Sequence, residues 1–181
     1  KPASAWEGRD GRMHFYANPS LGKRAHEEIG ADLVSGALAR LRYPSRLRQR
    51  VRAIVRWHMF AVPPANDGVK ARKFLRRHGD ELAFDLVAHK RADLQGKRAT
   101  EDAGTNTELV AVDRFRQRLE RELDRPHRLD QLAVDGGDLI AAGWREGPEL
   151  GRALDHLLGR VIGDPRLNTR EQLLAEAERL R

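Results

Sequence analysis

Between its prolines and glycines, this 181-residue chain repeats apolar side chains at three- and four-residue spacing. That period marks helices with one apolar face. Leu, Ala and Arg dominate and β-branched residues are few, so the expected fold class is all-α. The chain is long enough to bury a core without staples. It has no Cys, which excludes disulfides, thiolate metal sites and Cys nucleophiles. No stretch approaches 18 apolar residues, so no transmembrane helix and no membrane partner are expected. No apolar run follows Lys1-Pro2-Ala3-Ser4, so the start is not read as a signal peptide.

Residues 1–24 read as a loop broken by Gly8, Gly11, Pro19 and Gly22, either a strand-like ribbon or a mobile flap. A first helix is expected from about Ala25 to Arg40, with Ile29, Leu33, Ala37 and Leu41 on its inner face. A second starts at Pro44, carries Leu47, Val51, Ile54 and Val55 inward, and ends at Val62-Pro63-Pro64. Further helices are expected at Val69–His78 with Gly79 as cap, at Asp80–Leu94, and at Thr107–Asp124 after a polar loop from Gly96 to Asn106. Beyond Pro126 come a short helix at Leu139–Ala142, a helix opened by Pro148, and a last helix capped by Thr169 and Gln172. The expected domains are a helical domain over 1–125, with a basic face, and a helical tail subdomain over 126–181.

Charge is concentrated. Residues 40–78 hold twelve basic side chains against one acid, Asp67, whereas residues 99–181 hold 13 basic and 17 acidic. Arg48, Arg52 and Arg56 recur at four-residue spacing opposite the apolar stripe of the second helix, flanked by Arg46. The next helix turns Arg72, Lys73, Arg76 and Arg77 outward, against Ala71, Phe74 and Leu75 inward. Like charges at this spacing repel. With almost no acid nearby in sequence, a phosphate backbone is the partner such ridges suit, through counterion release. Few aromatics interleave, so backbone and shape readout of folded RNA fits better than base stacking. The plain alternative is a solvated helix surface.

Three polar residues fall on apolar faces: His26, His58 and Asp93, with His89 four residues before Asp93. An unpaired buried carboxylate is costly, and two imidazoles with one carboxylate suit a divalent ion. The alternative is a set of hydrogen-bonded core histidines. His14, His78, His127 and His156 show no such placement.

Several motifs then resemble one family. They are His26-Glu27-Glu28-Ile29-Gly30-Ala31, Leu41-Arg42-Tyr43, Val55-Arg56-Trp57-His58-Met59 and Arg91-Ala92-Asp93-Leu94, followed by Val134-Asp135-Gly136-Gly137-Asp138-Leu139, Gly147-Pro148-Glu149-Leu150-Gly151 and Asn168-Thr169-Arg170-Glu171. In this order they resemble the HD region and the tail of bacterial CCA-adding tRNA nucleotidyltransferases and related poly(A) polymerases. The resemblance implies a cytoplasmic α-helical neck, body and tail that hold tRNA by its acceptor and TΨC arms. It implies that His26, His58 and Asp93 correspond to the later metal ligands of the HD motif. The divalent ion would be Mg, Mn, Ni or Zn, while ATP and CTP belong to the parent enzyme.

The family's transferase head carries a Gly-Ser signature and paired aspartates, and lies upstream of such a region. So do the first His and the His-Asp pair of the HD motif. The expectation is therefore a fragment with an incomplete metal site, its own transferase head being a further partner. Ala17–Arg24 looks like an insertion before His26. Three functions stay open: a tRNA-binding module, a metal-dependent HD phosphohydrolase acting on 2′,3′-cyclic nucleotides or phosphate esters, and a helical interaction domain.

Overall fold

A computed structural model describes residues 4–97 and 104–181, with side chains from Asn106 onward in the second stretch. Among the described residues the protein is all-α, with eight α-helices and one small antiparallel sheet. The chain forms two compact units, Lys1–Ala61 with Asp85–Thr100, and Val62–Phe84 with Glu101–Arg181.

The first unit opens with a two-stranded ribbon, β1 (Trp6–Glu7) and β2 (Met13–His14), which resolves the ribbon-or-flap choice over this stretch in favour of the ribbon. The rings of Trp6, His14 and Tyr16 pack together in tilted and edge-on contacts, with centroids 4.7–5.1 Å apart. Helix α1 (His26–Arg40) follows, then α2 (Ser45–Trp57). Arg42, with φ 57°, takes the left-handed position that closes α1, while Tyr43 N–H donates to the Leu38 carbonyl and Arg42 N–H to that of Ala39. This six-to-one and five-to-two pattern usually places glycine where Arg42 stands.

Helix α2 stops at Trp57, well short of the prolines at 63 and 64. His58 supplies the reason. Its Nδ1 lies 2.7 Å from the Val55 carbonyl, so the imidazole satisfies an oxygen that the next turn would otherwise use.

The apolar stripe expected inward on α1 is split, with Ile29 and Ala37 half-buried and Leu33 and Leu41 outward. Leu33 and Leu41 are 69% and 68% exposed, whereas Ala31 is fully buried. The contact with α2 runs through small residues: a Cβ on Gly30 would lie 3.1 Å from Val55 Cγ1. Leu47 is also exposed, and no α2 residue is fully buried.

The second unit holds α3 (Gly68–His78), the first turn of α4 (Asp80–Lys97), α5 (Gly104–Glu122), α6 (Gly136–Ala141), α7 (Pro148–Gly163) and α8 (Arg170–Glu178). The polar loop expected from Gly96 to Asn106 shrinks at both ends, and residues 98–103 of it lie outside the described residues. Side chains and special backbone positions set the helix ends. Asp67 accepts from the Lys70 N–H at 2.9 Å to start α3, and Gly79, with φ 74°, ends it. Asp135 and Asp138 exchange side-chain bonds to each other's N–H at 3.0 Å to start α6, three residues earlier than expected. Pro148 opens α7, and Thr169 caps α8.

One core gathers Val134, Leu139, Leu150, Leu157, Val161 and Leu173, with Trp144 and Leu154 packed against it. A second set, Phe74, Leu75, Leu109, Val112, Phe115 and Leu119, is buried along α3 and α5.

Before α8 the chain turns at Asp164. Arg166 donates to it from Nη2 at 2.8 Å, from Nε at 2.9 Å and from its backbone N–H at 3.1 Å. The Arg166 side chain first, then its N–H, hold this carboxyl down at about 2, from an ordinary 3.8. The sign follows from a depressed folded value: the contribution is full above the ordinary value and is lost as pH falls through about 2. A carboxyl-carbon NMR titration is expected to give a midpoint near 2, and Arg166→Ala to return it towards 3.8. An ordinary midpoint in the unsubstituted protein would refute the geometry.

Candidate nucleic-acid interface

The α2 ridge is less bare than its sequence neighbourhood implies. Acids reach it from α1 and α4. Arg56 donates to Glu28 at 2.6 Å and lies over the Trp57 ring at 4.9 Å. Arg52 bonds Asp32 at 3.3 Å, and Arg24 bonds the same carboxylate at 2.7 Å. Arg24, then Arg52, hold the Asp32 carboxyl below its ordinary range. Arg50 grips Asp85 with two bonds of 2.6 Å. The expectation of a ridge without neutralising acid is therefore corrected. Those acids lie far from α2 in sequence, and folding brings them in.

Pairing does not remove these cations from reach. The Arg52 and Arg50 side chains are each 51% exposed, and exposed ion pairs contribute only about 0–1 kcal/mol, so a phosphate can replace the carboxylate at small cost. Arg46 is exposed, while Arg48 is half-buried and its Nε lacks a hydrogen-bond partner.

In the second unit Lys73, Arg76 and Arg77 are exposed on α3, with Arg76 bonded to Asp155 at 2.8 Å. Arg72 departs from the outward placement expected for it. It is buried, donates from Nε to the Ile162 carbonyl at 2.9 Å, and pairs with buried Glu122. It is unavailable to a phosphate. Helix α3 packs against both α5 and α7, so its buried arc is wider than the Ala71–Phe74–Leu75 stripe and takes in this flank.

The polar residues expected on apolar faces are only partly brought together. The rings of His26 and His58 stand 5.3 Å apart, and those of His58 and His89 stand 5.6 Å apart. His26 Nδ1 lies 3.2 Å from the Phe15 carbonyl and 3.3 Å from Glu27. A cavity of about 220 Å³ opens beside His26, His58, Ser4 and Leu33. Burial, then the nearby His58, pulls the His89 imidazole below its ordinary range.

Asp93 is exposed rather than buried, and bonds Lys97 at 3.0 Å. That bond holds its carboxyl below the ordinary range. Among the described residues, no group of three or more His, Cys, Asp or Glu side chains could hold a metal ion. The side chains present do not fit the divalent ion that the motif implies.

Two features escape the sequence pattern. His127, fully buried, sets Nδ1 2.7 Å from the Arg125 carbonyl and Nε2 2.8 Å from Asp80, which also pairs with Arg128. The other is a cationic cavity around Trp144, described below. Neither gives a periodic signal, because each is assembled from separate turns and helix ends.

Comparison with known proteins identifies the relationship. The chain is 33% identical over 163 residues to the CC-adding tRNA nucleotidyltransferase of Thermus thermophilus, covering 87% of this chain and 34% of that protein. It is 30% identical over 157 residues to the A-adding tRNA nucleotidyltransferase of Deinococcus radiodurans, covering 83% of this chain and 35% of that protein. This chain is a relative of the CCA-adding tRNA nucleotidyltransferase family. It spans about a third of the length of the curated relatives it matches. No protein-family model matches it, and no solved structure does. Among the described residues, no helix is long and apolar enough to cross a membrane.

Proposed function

We propose that this chain is the RNA-holding portion of a nucleotidyltransferase that processes tRNA 3′ ends. The observation that carries the proposal is the concentration of basic residues over 40–78. Exposed Arg46, Lys73 and Arg77 belong to it. Arg48, Arg52, Arg56 and Arg76 join the phosphate-binding set, and buried Arg72 leaves it. The two relatives, both tRNA nucleotidyltransferases, support tRNA as the RNA, and its acceptor and TΨC arms are the segments such a holder would grip.

In this reading the nucleotide-transfer chemistry, with its ATP and CTP, lies in the two thirds of the relatives that this chain does not match. That head is then the domain partner. The division at residue 126 into an HD-like part and a tail belongs to the same proposal. The HD phosphohydrolase alternative needs a metal, and His26, His58 and Asp93 as placed give it no support. No hydrolytic step is derived from them.

Binding of labelled tRNA, followed by fluorescence anisotropy across a salt series, tests the proposal. The double variant Arg46→Glu, Lys73→Glu is expected to weaken binding about tenfold or more, with the log K against log salt slope flattened by roughly 0.7–0.9 per lost phosphate contact. Absence of any complex at low salt, or an unchanged slope, would defeat the assignment.

A further inference from the structure

A cavity of about 510 Å³ opens on the second unit between the end of α6 and the outer side of α7. It is lined by Trp144, Arg145, Glu149, Arg152, His156 and Arg181, among others. Its construction begins at Gly143, whose φ of 91° lets the chain leave α6. The Gly143 N–H donates to the Ile140 carbonyl at 2.9 Å and the Trp144 N–H to that of Leu139 at 3.0 Å. This closure fixes the residue after the glycine, and the Trp144 indole packs half-buried against the Leu139–Leu150–Leu157 core. A Cβ on residue 143 would come within 2.8 Å of Arg181 Nη1, which donates to the Ala142 carbonyl at 3.1 Å.

Around this indole stand three guanidiniums and one imidazole, against one carboxylate. The carboxylate is Glu149, 81% exposed and 3.5 Å from Arg152. His156 is 3.6 Å from Glu176. The surrounding segment is net acidic, with 17 acids to 13 bases over residues 99–181. Local cation excess here is therefore a property of the fold and not of composition.

A lone cationic patch would suit any anion. A half-buried aromatic inside the same cavity adds a requirement for a flat, unsaturated ring, since stacking on an indole rewards a π-face. Guanidiniums reward phosphate through forked hydrogen bonds. The cavity lies within the usual size range of ligand sites.

We propose that this cavity binds a nucleotide unit, with the base against Trp144 and the phosphate among Arg145, Arg152 and Arg181. The source is either a free nucleoside monophosphate or an unpaired nucleotide of an RNA strand. Its lining shares no residue with the basic faces of α2 and α3, and its assignment does not rest on them.

The test uses the full chain, with CMP, AMP, pyrophosphate and a short fluorescent single-stranded oligoribonucleotide as probes. Binding is read by calorimetry for the small probes and by anisotropy for the oligomer. Arg152→Glu changes an exposed side chain and leaves the core alone. Trp144→Leu keeps an apolar body on the core and removes the π-face, and circular dichroism confirms that it folds. Each variant is expected to weaken nucleotide or oligomer binding by about tenfold, the scale of one stacked base or one charged contact. Pyrophosphate, lacking a base, should respond to Arg152→Glu alone.

If CMP and AMP bind with this dependence, the ligand is a free nucleotide. If only the oligomer does, it is an unpaired position in RNA; either result supports the site. Pyrophosphate binding as tightly as CMP, together with a neutral Trp144→Leu, would overturn it. So would affinities untouched by both variants. The Arg46→Glu, Lys73→Glu protein should retain the pocket dependence, which separates failure of this site from failure of the ridge.

Discussion

Glu122→Ala is expected to destabilise the second unit by about 3–5 kcal/mol, the usual cost of stripping one partner from a buried ion pair. The side chains of Arg72 and Glu122 are only 8% and 7% exposed. Removing the carboxylate leaves the Arg72 guanidinium inside with one acceptor, the Ile162 carbonyl 2.9 Å from its Nε. Arg118, which pairs with the same carboxylate at 3.0 Å and is 27% exposed, can turn to solvent. Arg72 cannot, because its stem lies between α5 and α7. A urea titration followed by helical circular dichroism reads the loss, and a shift below about 1 kcal/mol would mean that water reaches the site.

The same network sets a companion expectation. Replacing both partners with apolar residues, Arg72→Met with Glu122→Leu, should recover most of the loss, because no charge then remains buried. The start of α3 also explains a glycine. A Cβ on Gly68 would sit 2.3 Å from Arg118 Nη2 and 2.8 Å from Glu122 Oε1. A side chain there would push the Arg118 guanidinium outward and crowd the buried Glu122 carboxylate.

The helices were legible because their ends are local chemistry. Gly79, Pro148 and Thr169 each act within four residues of themselves, so a sequence window contains the whole interaction. Depth was less legible. The period places Ile29, Leu33, Ala37 and Leu41 on one side of α1, yet Ala31 is the residue fully buried and Leu33 stands out. Periodicity fixes which residues share a face. It does not say which face meets a neighbour, and close approach at Gly30 selects small residues over leucines.

The candidate site divides in the same way. Local composition identifies the basic stretch over 40–78, while the acids that engage it, Glu28, Asp32, Asp85 and Asp155, come from other helices. Asp93 is exposed and pairs with Lys97 from one turn away on the same helix, so its carboxylate needs no metal. The Trp144 cavity is assembled from a helix exit, the flank of α7 and the residues after α8. No window of sequence contains it.

Burial and periodicity can be separated by experiment. Phe115→Ala is expected to cost about 3–5 kcal/mol, the range for emptying an aromatic site in a close-packed core. Phe115 is fully buried on α5, and Phe74 of α3 meets it edge-on at 5.4 Å and 83°. The Phe74 ring cannot move far into the space, since Leu75 and Leu119 are also fully buried. Leu33→Ala removes a side chain with the same periodic signature, but one already 69% exposed, so its effect should stay within about 0.5 kcal/mol. Both variants can be compared by chemical denaturation monitored on each unit through site-specific NMR resonances. A large loss at Leu33 would show that its face is covered in solution, and a small one at Phe115 would show a core loose enough to collapse around the missing ring.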